Sequence, residues 1–357
     1  MKLVISSDWH LDAVTAGVPR EREIRIAAQQ VLTAATKADA FLFLGDLCDP
    51  DASRGPRCAA FAIECSREIR CRQYWLTGNH DVIEDGSGTS VLEPLAASGG
   101  DVLVNAPRVL KVDDLAIVAL PYVPRVLAYD PAEFVREAAE QVAGARWVLV
   151  AGHLTLPGIH PGSESEEFAR GRVGPMPLDV IREALPNAVL VNGHYHRANI
   201  YDNVNVPGAL ARLTFGECDH EPSFLTIEFG KKEPGLKWER IESPVRLRTF
   251  GPDHSVWKDG VSDELRCSLV KLVPPVDAAE ERVASVYDAV RAAAMGVALM
   301  AAAPSGNALT AASVSAAERR ARKTHRRVVY DLVDEAVGVD RDELISLADE
   351  IMNAEGL

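Results

Sequence analysis

Short apolar runs alternate with amphipathic segments along the first two hundred residues. Five of the apolar runs are typical of strands: Leu3–Ser6, Ala40–Leu44, Gln73–Leu76, Trp147–Val150 and Ala188–Val191. Three segments carry apolar residues at helical spacing: Glu21–Ala38, Arg57–Arg70 and Asp130–Ala143. Because strands and helices alternate along the chain, the pattern predicts an α/β fold built from layers.

The pattern changes after residue 210. Three strand-like runs follow each other without a helix between them, and we interpret them as part of a second sheet: Ser223–Phe229, Leu236–Ile241 and Val245–Phe250. A polar linker is expected around Gly251–Asp263. A strand, a helix and a strand are predicted next: Arg266–Val273, Asp277–Ala293 and Val297–Ala302. Ala311–Val337 and the segment from about Arg341 are predicted to form an apolar helical hairpin.

A motif rich in Asp, His or Asn directly follows each of the first five strand-like runs. The motifs are Asp8-Trp9-His10, Gly45-Asp46-Leu47-Cys48-Asp49, Gly78-Asn79-His80-Asp81, Gly152-His153 and Gly193-His194-Tyr195-His196. Loops at the carboxyl ends of strands in an open α/β sheet converge on one crevice, so we expect these side chains to meet. Oxygen and imidazole donors without a thiolate suit divalent ions such as manganese or iron. The motifs therefore predict a two-metal enzyme.

The spacing inside the motifs has a physical reason. Asp8 and His10 are two residues apart, as are His194 and His196, so an extended chain would turn both donors of a pair to one side. Asp46 can bridge two cations with its two oxygens, which a histidine cannot do. A glycine stands directly before a candidate ligand at positions 45, 78, 152 and 193, where it would permit a sharp turn or a close approach of the backbone.

Length, composition and charge narrow the class of protein. The chain has 357 residues, enough for two or three domains, and its hydrophobic fraction of 47% is that of an ordinary globular protein. Without a long apolar run or a signal peptide, a cytoplasmic protein with no membrane contact and with reduced thiols is expected. The net charge of −14 argues against a uniformly basic DNA-coating protein. Part of this acidity lies in the predicted metal-binding motifs, where two divalent ions would add positive charge locally.

In this order the five motifs resemble the signature of the calcineurin-like metallophosphoesterase superfamily. Three further segments are similar to SbcD-type nucleases, the nuclease subunits of double-strand-break repair complexes: Pro121-Tyr122, the loop from Gly162 to Pro177, and Pro207–Glu217. The resemblance implies a four-layer α/β/β/α sandwich over residues 1–250. It further implies a small α/β capping domain over residues 251–305 and a helical partner-binding region over residues 306–357.

The resemblance also implies a role for each donor. The residues of one metal would be Asp8, His10, Asp46 and His196, and those of the second would be Asp46, Asn79, His153 and His194, with Asp46 bridging. His80 would be the catalytic histidine, with Asp81 fixing the orientation of its ring and Asp49 in a supporting role. The cofactor would be two divalent ions, with Mn²⁺ expected first and Mg²⁺ or Fe²⁺ as alternatives.

A DNA nuclease of this type would hydrolyse phosphodiester bonds with a water activated by two metals. The resemblance implies 3′-to-5′ exonuclease activity on duplex DNA and endonuclease activity on single strands, in DNA repair or recombination. The implied partners are DNA, an SbcC-type ATPase and a second copy of the chain. Two alternatives stay open: another metallophosphoesterase, such as a cyclic-nucleotide phosphodiesterase or a phosphatase, and a non-catalytic scaffold that recruits an ATPase to DNA.

Overall fold

The computed structural model describes residues 1–49, 55–83, 88–98, 102–123, 129–159, 174–230, 232–261 and 265–300. The chain falls into two compact units. The first comprises Met1–Thr249, Ser262–Lys271 and Val290–Ala298, and the second, among the described residues, comprises Phe250–Val261, Leu272–Ala289 and the chain from Leu299. The domain boundaries expected at residues 250 and 305 stay predictions, and the predicted C-terminal hairpin lies outside the described residues.

Each predicted helix and strand among the described residues is present, but seven further strands and two further α-helices were not predicted. In chain order the strands are β1 (Lys2–Ser6), β2 (Val14–Thr15), β3 (Val18–Pro19), β4 (Ala40–Phe43), β5 (Arg72–Leu76), β6 (Leu103–Val104), β7 (Arg108–Val112), β8 (Leu115–Leu120), β9 (Trp147–Gly152), β10 (Val189–Asn192), β11 (Asn199–Tyr201), β12 (Val204–Val206), β13 (Ser223–Phe229), β14 (Pro234–Arg240), β15 (Arg246–Phe250), β16 (Ser268–Leu272) and β17 (Gly296–Leu299). The α-helices are α1 (Glu21–Ala35), α2 (Pro56–Glu68), α3 (Pro131–Val142), α4 (Leu178–Ala184), α5 (Val256–Asp259) and α6 (Glu280–Ala293). Short 3₁₀ helices cover η1 (Glu93–Ser98) and η2 (Phe215–Glu217).

Two six-stranded mixed sheets form the body of the first unit. The first sheet has the order β14-β13-β1-β4-β5-β6, in which β1, β4, β5 and β6 are parallel. The second has the order β11-β12-β10-β9-β8-β7, in which β8, β9, β10 and β12 are parallel. A three-stranded sheet, β15-β16-β17, and the β2-β3 hairpin complete the pairing among the described strands. The predicted α/β class is therefore confirmed.

The assignment of β13 and β14 to a second sheet was wrong. Leu3 in β1 pairs with Ile227 in β13, and Leu225 pairs with Trp238 in β14, so both strands extend the first sheet. The second sheet is built earlier in the chain, from β7 to β12. A local apolar pattern predicts a strand but not the strand it pairs with, because pairing depends on the packing of distant residues.

Three apolar clusters hold the first unit together. Leu3 and Ile5 of the first sheet share one cluster with Ile117 of the second, so the two sheets pack face to face. The opposite face of the first sheet, with Val4, packs against α1 and α2. The opposite face of the second sheet, with Val118, packs against α3 and α4. Every residue of β8 is buried, as expected for a parallel strand covered on both faces.

The segment expected to be a polar linker contains the helix α5. Val256 and Trp257 are buried, and the indole Nε1 of Trp257 donates to the carbonyl oxygen of Gly251 at 2.8 Å. The guanidinium of Arg282 donates to the carbonyl oxygens of Trp257 and Lys258. An aromatic side chain with a satisfied donor orders this stretch despite its polar composition. In the part of the chain that the structure describes, no helix is long and apolar enough to cross a membrane.

Candidate metal centre

The five predicted motifs meet at one place, but they come from two sheets rather than from one open sheet. Three follow β1, β4 and β5 of the first sheet, and two follow β9 and β10 of the second. The loop after β9 reaches the first sheet through His153, whose Nδ1 lies 2.6 Å from the carbonyl oxygen of Leu44. The face-to-face packing of the sheets therefore brings the carboxyl ends of their parallel strands together.

Four candidate ligands have left-handed backbone conformations. The φ angles are 53° at Asp8, 46° at His10, 60° at Asp46 and 74° at His194. The expectation of an extended Asp8–His10 segment was therefore wrong: the turn of the backbone, not strand alternation, directs these donors. Such a conformation costs a non-glycine residue roughly 1–2 kcal/mol. Strained positions of this kind cluster at functional sites, where the surrounding packing enforces them.

Trp9 anchors the first motif. Its side chain is fully buried among Phe43, Phe61 and Trp75, with ring centroids 5.1 to 5.8 Å away. Its Nε1 donates to the hydroxyl of Ser6 at 2.8 Å. A buried indole with a satisfied donor fixes the peptide on which it stands. The donors on either side of Trp9 are thus held in place by the core.

One group of possible metal ligands consists of Asp8, His10 and His196. The Nε2 atoms of the two histidines lie 3.1 Å apart, and both oxygens of the buried Asp8 carboxylate lack a hydrogen-bond partner among the described residues. Two nitrogen ligands at right angles around one ion, each about 2.1 Å from it, are about 3 Å apart. An unpaired buried carboxylate is costly unless a cation balances it. The group therefore fits a divalent ion.

The second group consists of Asp46, His153 and His194. The Nε2 atom of His153 lies 3.2 Å from Oδ2 of Asp46 and 3.0 Å from Oδ1 of Asn79. Because Nδ1 of His153 faces the carbonyl oxygen of Leu44, the neutral ring keeps its proton there and directs the Nε2 lone pair at the group. The amide oxygen of Asn79 joins this group, so the second set also fits a divalent ion.

The pKa values within the two groups show how much charge is buried there. Burial raises the pKa of Asp8 to about 7, even though the positive charge of His153 opposes the shift. Burial also penalises the charged form of Asp46, but His153 and His80 outweigh it and hold its pKa well below the usual value. Burial would lower the pKa of His153, yet the Asp46 carboxylate raises it to about 9. Protons therefore balance the carboxylates where metal ions would do so.

His80 lies between the two groups. Its Nε2 atom is 3.8 Å from Oδ2 of Asp46 and 3.1 Å from Nδ2 of Asn79, and its ring centroid is 5.4 Å from that of His10. Its backbone N–H donates to Oδ1 of Asp46 at 2.9 Å. The imidazole is thus close to both sets of candidate ligands without belonging to either.

Asp81 holds the backbone of two motifs, and its predicted role of orienting the His80 ring stays a prediction. Its carboxylate accepts backbone N–H groups at 2.8 to 3.3 Å, and the donors are Asp46, Leu47, Cys48 and Gly78. Both oxygens are used in this way, because a carboxylate is the strongest acceptor for a turn of unpaired amides. Burial, followed by the charge of Asp46, raises its pKa to about 6.

Asp49 lies at the edge of the centre. It is half-buried, and its backbone N–H donates to Oδ1 of Asp12 at 2.7 Å. It belongs to neither group of possible metal ligands. Its supporting role stays a prediction.

The glycines of the motifs permit the close approach that was predicted for them. Gly45 has a φ of 99°, and a Cβ atom there would lie 2.5 Å from the nitrogen of Gly78. A Cβ atom at Gly78 would lie 2.1 Å from Oδ1 of Asp46, and one at Gly193 would lie 2.3 Å from Oγ of Ser7. No side chain fits at such distances, so these loops can pack together only with glycine.

Two supporting residues were missed from the sequence. Glu217 accepts a hydrogen bond from Nδ1 of His196 at 3.0 Å and one from the N–H of Leu213 at 2.8 Å, so its carboxylate orients a candidate ligand. Asn192 exchanges side-chain hydrogen bonds with the backbone of Leu154, which ties together the loops after β9 and β10. Asn192 directly precedes a motif, and Glu217 ends the SbcD-like segment Pro207–Glu217. The only sequence signal for a role of these two residues was their position, beside a motif for Asn192 and at the end of the SbcD-like segment for Glu217.

A family model described as calcineurin-like phosphoesterase matches residues 1–198, a range that contains all the candidate metal ligands and His80. Because the match covers more than half of the chain, the protein belongs to the calcineurin-like phosphoesterase family. It is accordingly a dimetal phosphoesterase by family. No curated protein sequence matches the chain.

Several solved structures are similar in fold. A dimetal phosphatase from Danio rerio is 10% identical with a TM-score of 0.46, over 68% of this chain and 96% of that one. The protein TT1561 of Thermus thermophilus is 15% identical with a TM-score of 0.43, over 68% and 99%. The NAD nucleotidase NadN of Haemophilus influenzae is 13% identical with a TM-score of 0.42, over 91% and 60%. Similarity at this level carries no argument about the substrate.

Proposed function

We propose that this protein is a manganese-dependent DNA nuclease of the SbcD type. It hydrolyses phosphodiester bonds, as a 3′-to-5′ exonuclease on duplex DNA and as an endonuclease on single strands. The observation that carries the proposal is the adjacency of two oxygen-and-nitrogen donor groups with His80 between them. Such donor sets suit Mn²⁺, and they also accept Mg²⁺ or Fe²⁺.

Seven side chains would hold the two ions: Asp8, His10, Asp46, Asn79, His153, His194 and His196. When bound, two divalent ions activate water and neutralise the charge that develops on a phosphoryl group under attack. The protein contributes preorganisation. Glu217 and the carbonyl oxygen of Leu44 fix the tautomers of the ligand histidines His196 and His153, and Asp81 holds the two loops that carry Asp46 and Asn79.

His80 donates a proton to the leaving oxygen of the cleaved strand. The imidazole is buried beside both donor groups, and histidine is the side chain that most often acts as a general acid or base in enzymes. The amide Nδ2 of Asn79 can donate to Nε2 at 3.1 Å, so while this contact is made the proton for the leaving oxygen is carried by Nδ1. Proton donation to the leaving group is the step for which the metal ligands are unsuited, because their nitrogen and oxygen lone pairs are committed to coordination.

The choice of a nuclease over a phosphatase rests on the SbcD-like segments. Pro207–Glu217 supplies Glu217, which bonds the candidate ligand His196. The other described segment, Pro121-Tyr122, exchanges two hydrogen bonds with Thr77 just before the Gly78 motif. Residues that resemble one nuclease family thus support the metal centre itself. The third segment lies mostly outside the described residues.

The proposed partners follow from the same resemblance. They are DNA as the substrate, an SbcC-type ATPase bound by the C-terminal region, and a second copy of the chain. A cluster of basic residues in the predicted first C-terminal helix would contact DNA phosphates or an acidic partner surface: Arg319, Arg320, Arg322, Lys323, Arg326 and Arg327. These residues lie outside the part of the chain that the structure describes.

A substrate panel tests the proposal. Purified protein is incubated with end-labelled duplex DNA, end-labelled single-stranded DNA, a cyclic nucleotide, bis(p-nitrophenyl) phosphate and p-nitrophenyl phosphate, with and without Mn²⁺. We expect Mn²⁺-dependent cleavage of both DNA forms. Hydrolysis of the cyclic nucleotide or the monoester without any DNA cleavage would show that the protein is another metallophosphoesterase and not a nuclease. No hydrolysis of any substrate would favour a scaffold.

A further inference from the structure

A cavity of about 550 Å³ lies beside the metal centre, within the first unit. It lies between the edge strands β11 and β14 of the two sheets, and we call it the Trp238 pocket. Its walls come from three stretches of chain: 197–200, 219–223, and Trp238 with Arg240. Its volume is in the range of small-ligand sites. None of these wall residues belongs to the two groups of possible metal ligands.

Chain connectivity joins the Trp238 pocket to the metal centre. Arg197 in the pocket directly follows the candidate ligand His196. His220, on another wall, donates its backbone N–H at 2.9 Å to the carbonyl oxygen of Glu217, whose side chain bonds His196. A molecule in the pocket would therefore lie against the same two segments that support His196.

Trp238 forms an aromatic wall of the pocket, and its side chain is held in place. The Nε1 atom of Trp238 donates to the carbonyl oxygen of Val206 at 3.0 Å, which fixes the indole between β14 and β12. The side chain is half-buried and still lines the cavity. A fixed, partly open indole is a surface on which a flat ring can stack.

Two guanidinium groups flank this aromatic surface. Arg197 pairs with Asp219 at 2.7 Å, and Arg240 pairs with Glu221 at 3.2 Å. All four side chains are at least half exposed, so solvent screens both pairs and each is weak. A phosphate could therefore recruit either arginine at little cost. The carboxylates would remain available to accept hydrogen bonds from a base.

His220 supplies an unused hydrogen-bonding group. It is only 4% exposed, and its Nε2 atom has no hydrogen-bond partner among the described residues. Burial, together with the positive charges of Arg197 and Arg212, lowers the pKa of the ring to about 4, although Glu217 opposes the shift. The ring is therefore neutral at neutral pH. A buried ring nitrogen without a partner is unfavourable unless a bound molecule pairs with it.

We propose that the Trp238 pocket binds one nucleotide of single-stranded DNA, with the base stacked on Trp238 and a phosphate on Arg197 or Arg240. A ring to stack on, cationic groups and a neutral hydrogen-bonding group together match a nucleotide. The bound nucleotide positions the strand so that a neighbouring phosphodiester reaches the metal centre. This role rests on the proposed nuclease function, whereas nucleotide binding itself does not.

The test uses the full-length chain and two readouts. Binding of a fluorescein-labelled single-stranded oligonucleotide is followed by anisotropy in the presence of a chelator, so that no cleavage occurs. The kcat/KM for the same oligonucleotide and for bis(p-nitrophenyl) phosphate is measured in Mn²⁺. Trp238→Ala should weaken oligonucleotide binding at least about tenfold, the order of one lost stacking contact. Its kcat/KM for the oligonucleotide should fall by about tenfold more than that for the small ester.

Two pairs of variants distinguish the effects of stacking and of charge on binding from a general disturbance of the fold. Trp238→Phe keeps a ring for stacking but loses the bond to Val206, so it should bind within about threefold of the wild type. Arg240→Ala and Lys237→Ala each remove one positive charge from β14, but only Arg240 lines the pocket. Arg240→Ala should weaken binding, and Lys237→Ala should leave both readouts unchanged. If Trp238→Ala does not fold, the comparison of Arg240→Ala with Lys237→Ala tests the proposal instead.

The experimental results that would overturn nucleotide binding by the Trp238 pocket differ from those that would overturn the proposed nuclease function. Unchanged oligonucleotide binding in both Trp238→Ala and Arg240→Ala would overturn the pocket, even if DNA cleavage were strong. Equal losses in Trp238→Phe and Trp238→Ala would also overturn it, because the indole would then act only through its bond to Val206. A wild type that binds the oligonucleotide through Trp238 but cleaves no DNA would retain the pocket and refute the nuclease.

Discussion

His80 and Asp46 are neighbours, but different losses are expected when each is removed. His80→Ala should keep both metal ions and lose about 10²- to 10⁴-fold in turnover, because it removes a proton donor and no ligand. Asp46→Ala should lose metal as well as turnover, because it removes a buried carboxylate from a donor group. Elemental analysis of dialysed protein, combined with turnover, distinguishes the two. If His80→Ala lost its metal ions and Asp46→Ala kept them, the roles assigned to these two residues would be wrong.

Glu217 is expected to control the affinity of the centre through His196. Glu217→Gln keeps the shape but replaces the charged acceptor of the Nδ1 proton, so we expect metal affinity to fall by about 10- to 100-fold. Titration of stripped protein with Mn²⁺ measures the effect. Glu228→Gln, on the exposed side of β13, removes the same charge away from the centre and should change nothing. Equal affinities in the two variants would exclude this role of Glu217.

Metal uptake should release protons. His153 can offer its Nε2 lone pair only when neutral, yet the Asp46 carboxylate raises the pKa of the metal-free ring to about 9. At pH 7 an incoming ion must therefore displace a proton, and apparent affinity should rise as the pH increases towards 9. Calorimetric titration at pH 7 in two buffers of different ionisation enthalpy measures the protons released. Binding heats that are independent of the buffer would contradict the protonated state of the metal-free site.

The positions of the loops after the strands could be predicted from the sequence. The backbone conformation and hydrogen bonds inside those loops could not. An apolar run followed by Asp, His or Asn is a local pattern, so all five strand-and-motif units could be found from the sequence. The left-handed conformation of Asp8 and the use of Asp81 by backbone amides depend on loops from distant parts of the chain. The pairing of β13 with β1 is equally non-local. No single segment encodes these features.

The packing of the Gly78 loop against the Gly45 loop predicts a specific sensitivity. Gly78→Ala would bring a Cβ atom to within 2.1 Å of Oδ1 of Asp46, so the loops must separate. We expect a loss of stability on the order of 1–3 kcal/mol together with loss of metal. Gly144→Ala is the matched control, because a Cβ atom there meets nothing within 4 Å. Thermal unfolding and metal analysis compare them, and a Gly78→Ala variant that matches the control would disprove the tight packing.

The C-terminal region is predicted to act in partner binding rather than in hydrolysis. All candidate ligands lie between residues 8 and 196, in the first unit. Leu344→Asp combined with Leu347→Asp would place charges on the apolar stripe of the predicted hairpin. We expect this variant to lose association with an SbcC-type ATPase from the same genome and to keep its hydrolysis of bis(p-nitrophenyl) phosphate. Asp349→Ala is the control on the polar side. Unchanged association in a pull-down would rule out the docking role.

In the proposed nuclease, the strongly negative net charge would make DNA cleavage dependent on the metal centre. At a charge of −14 the chain as a whole repels a polyanion, so bound cations and local arginines must attract the substrate phosphates. Cleavage should therefore follow occupancy of both donor groups. The number of Mn²⁺ ions per chain at which DNA cleavage saturates is the quantity to measure, with chelator-stripped protein titrated in the presence of end-labelled DNA. We predict saturation at two ions per chain, and in His80→Ala cleavage that is slower by about 10²- to 10⁴-fold at the same occupancy. Full cleavage by metal-free protein, or saturation at one ion, would contradict a two-metal nuclease.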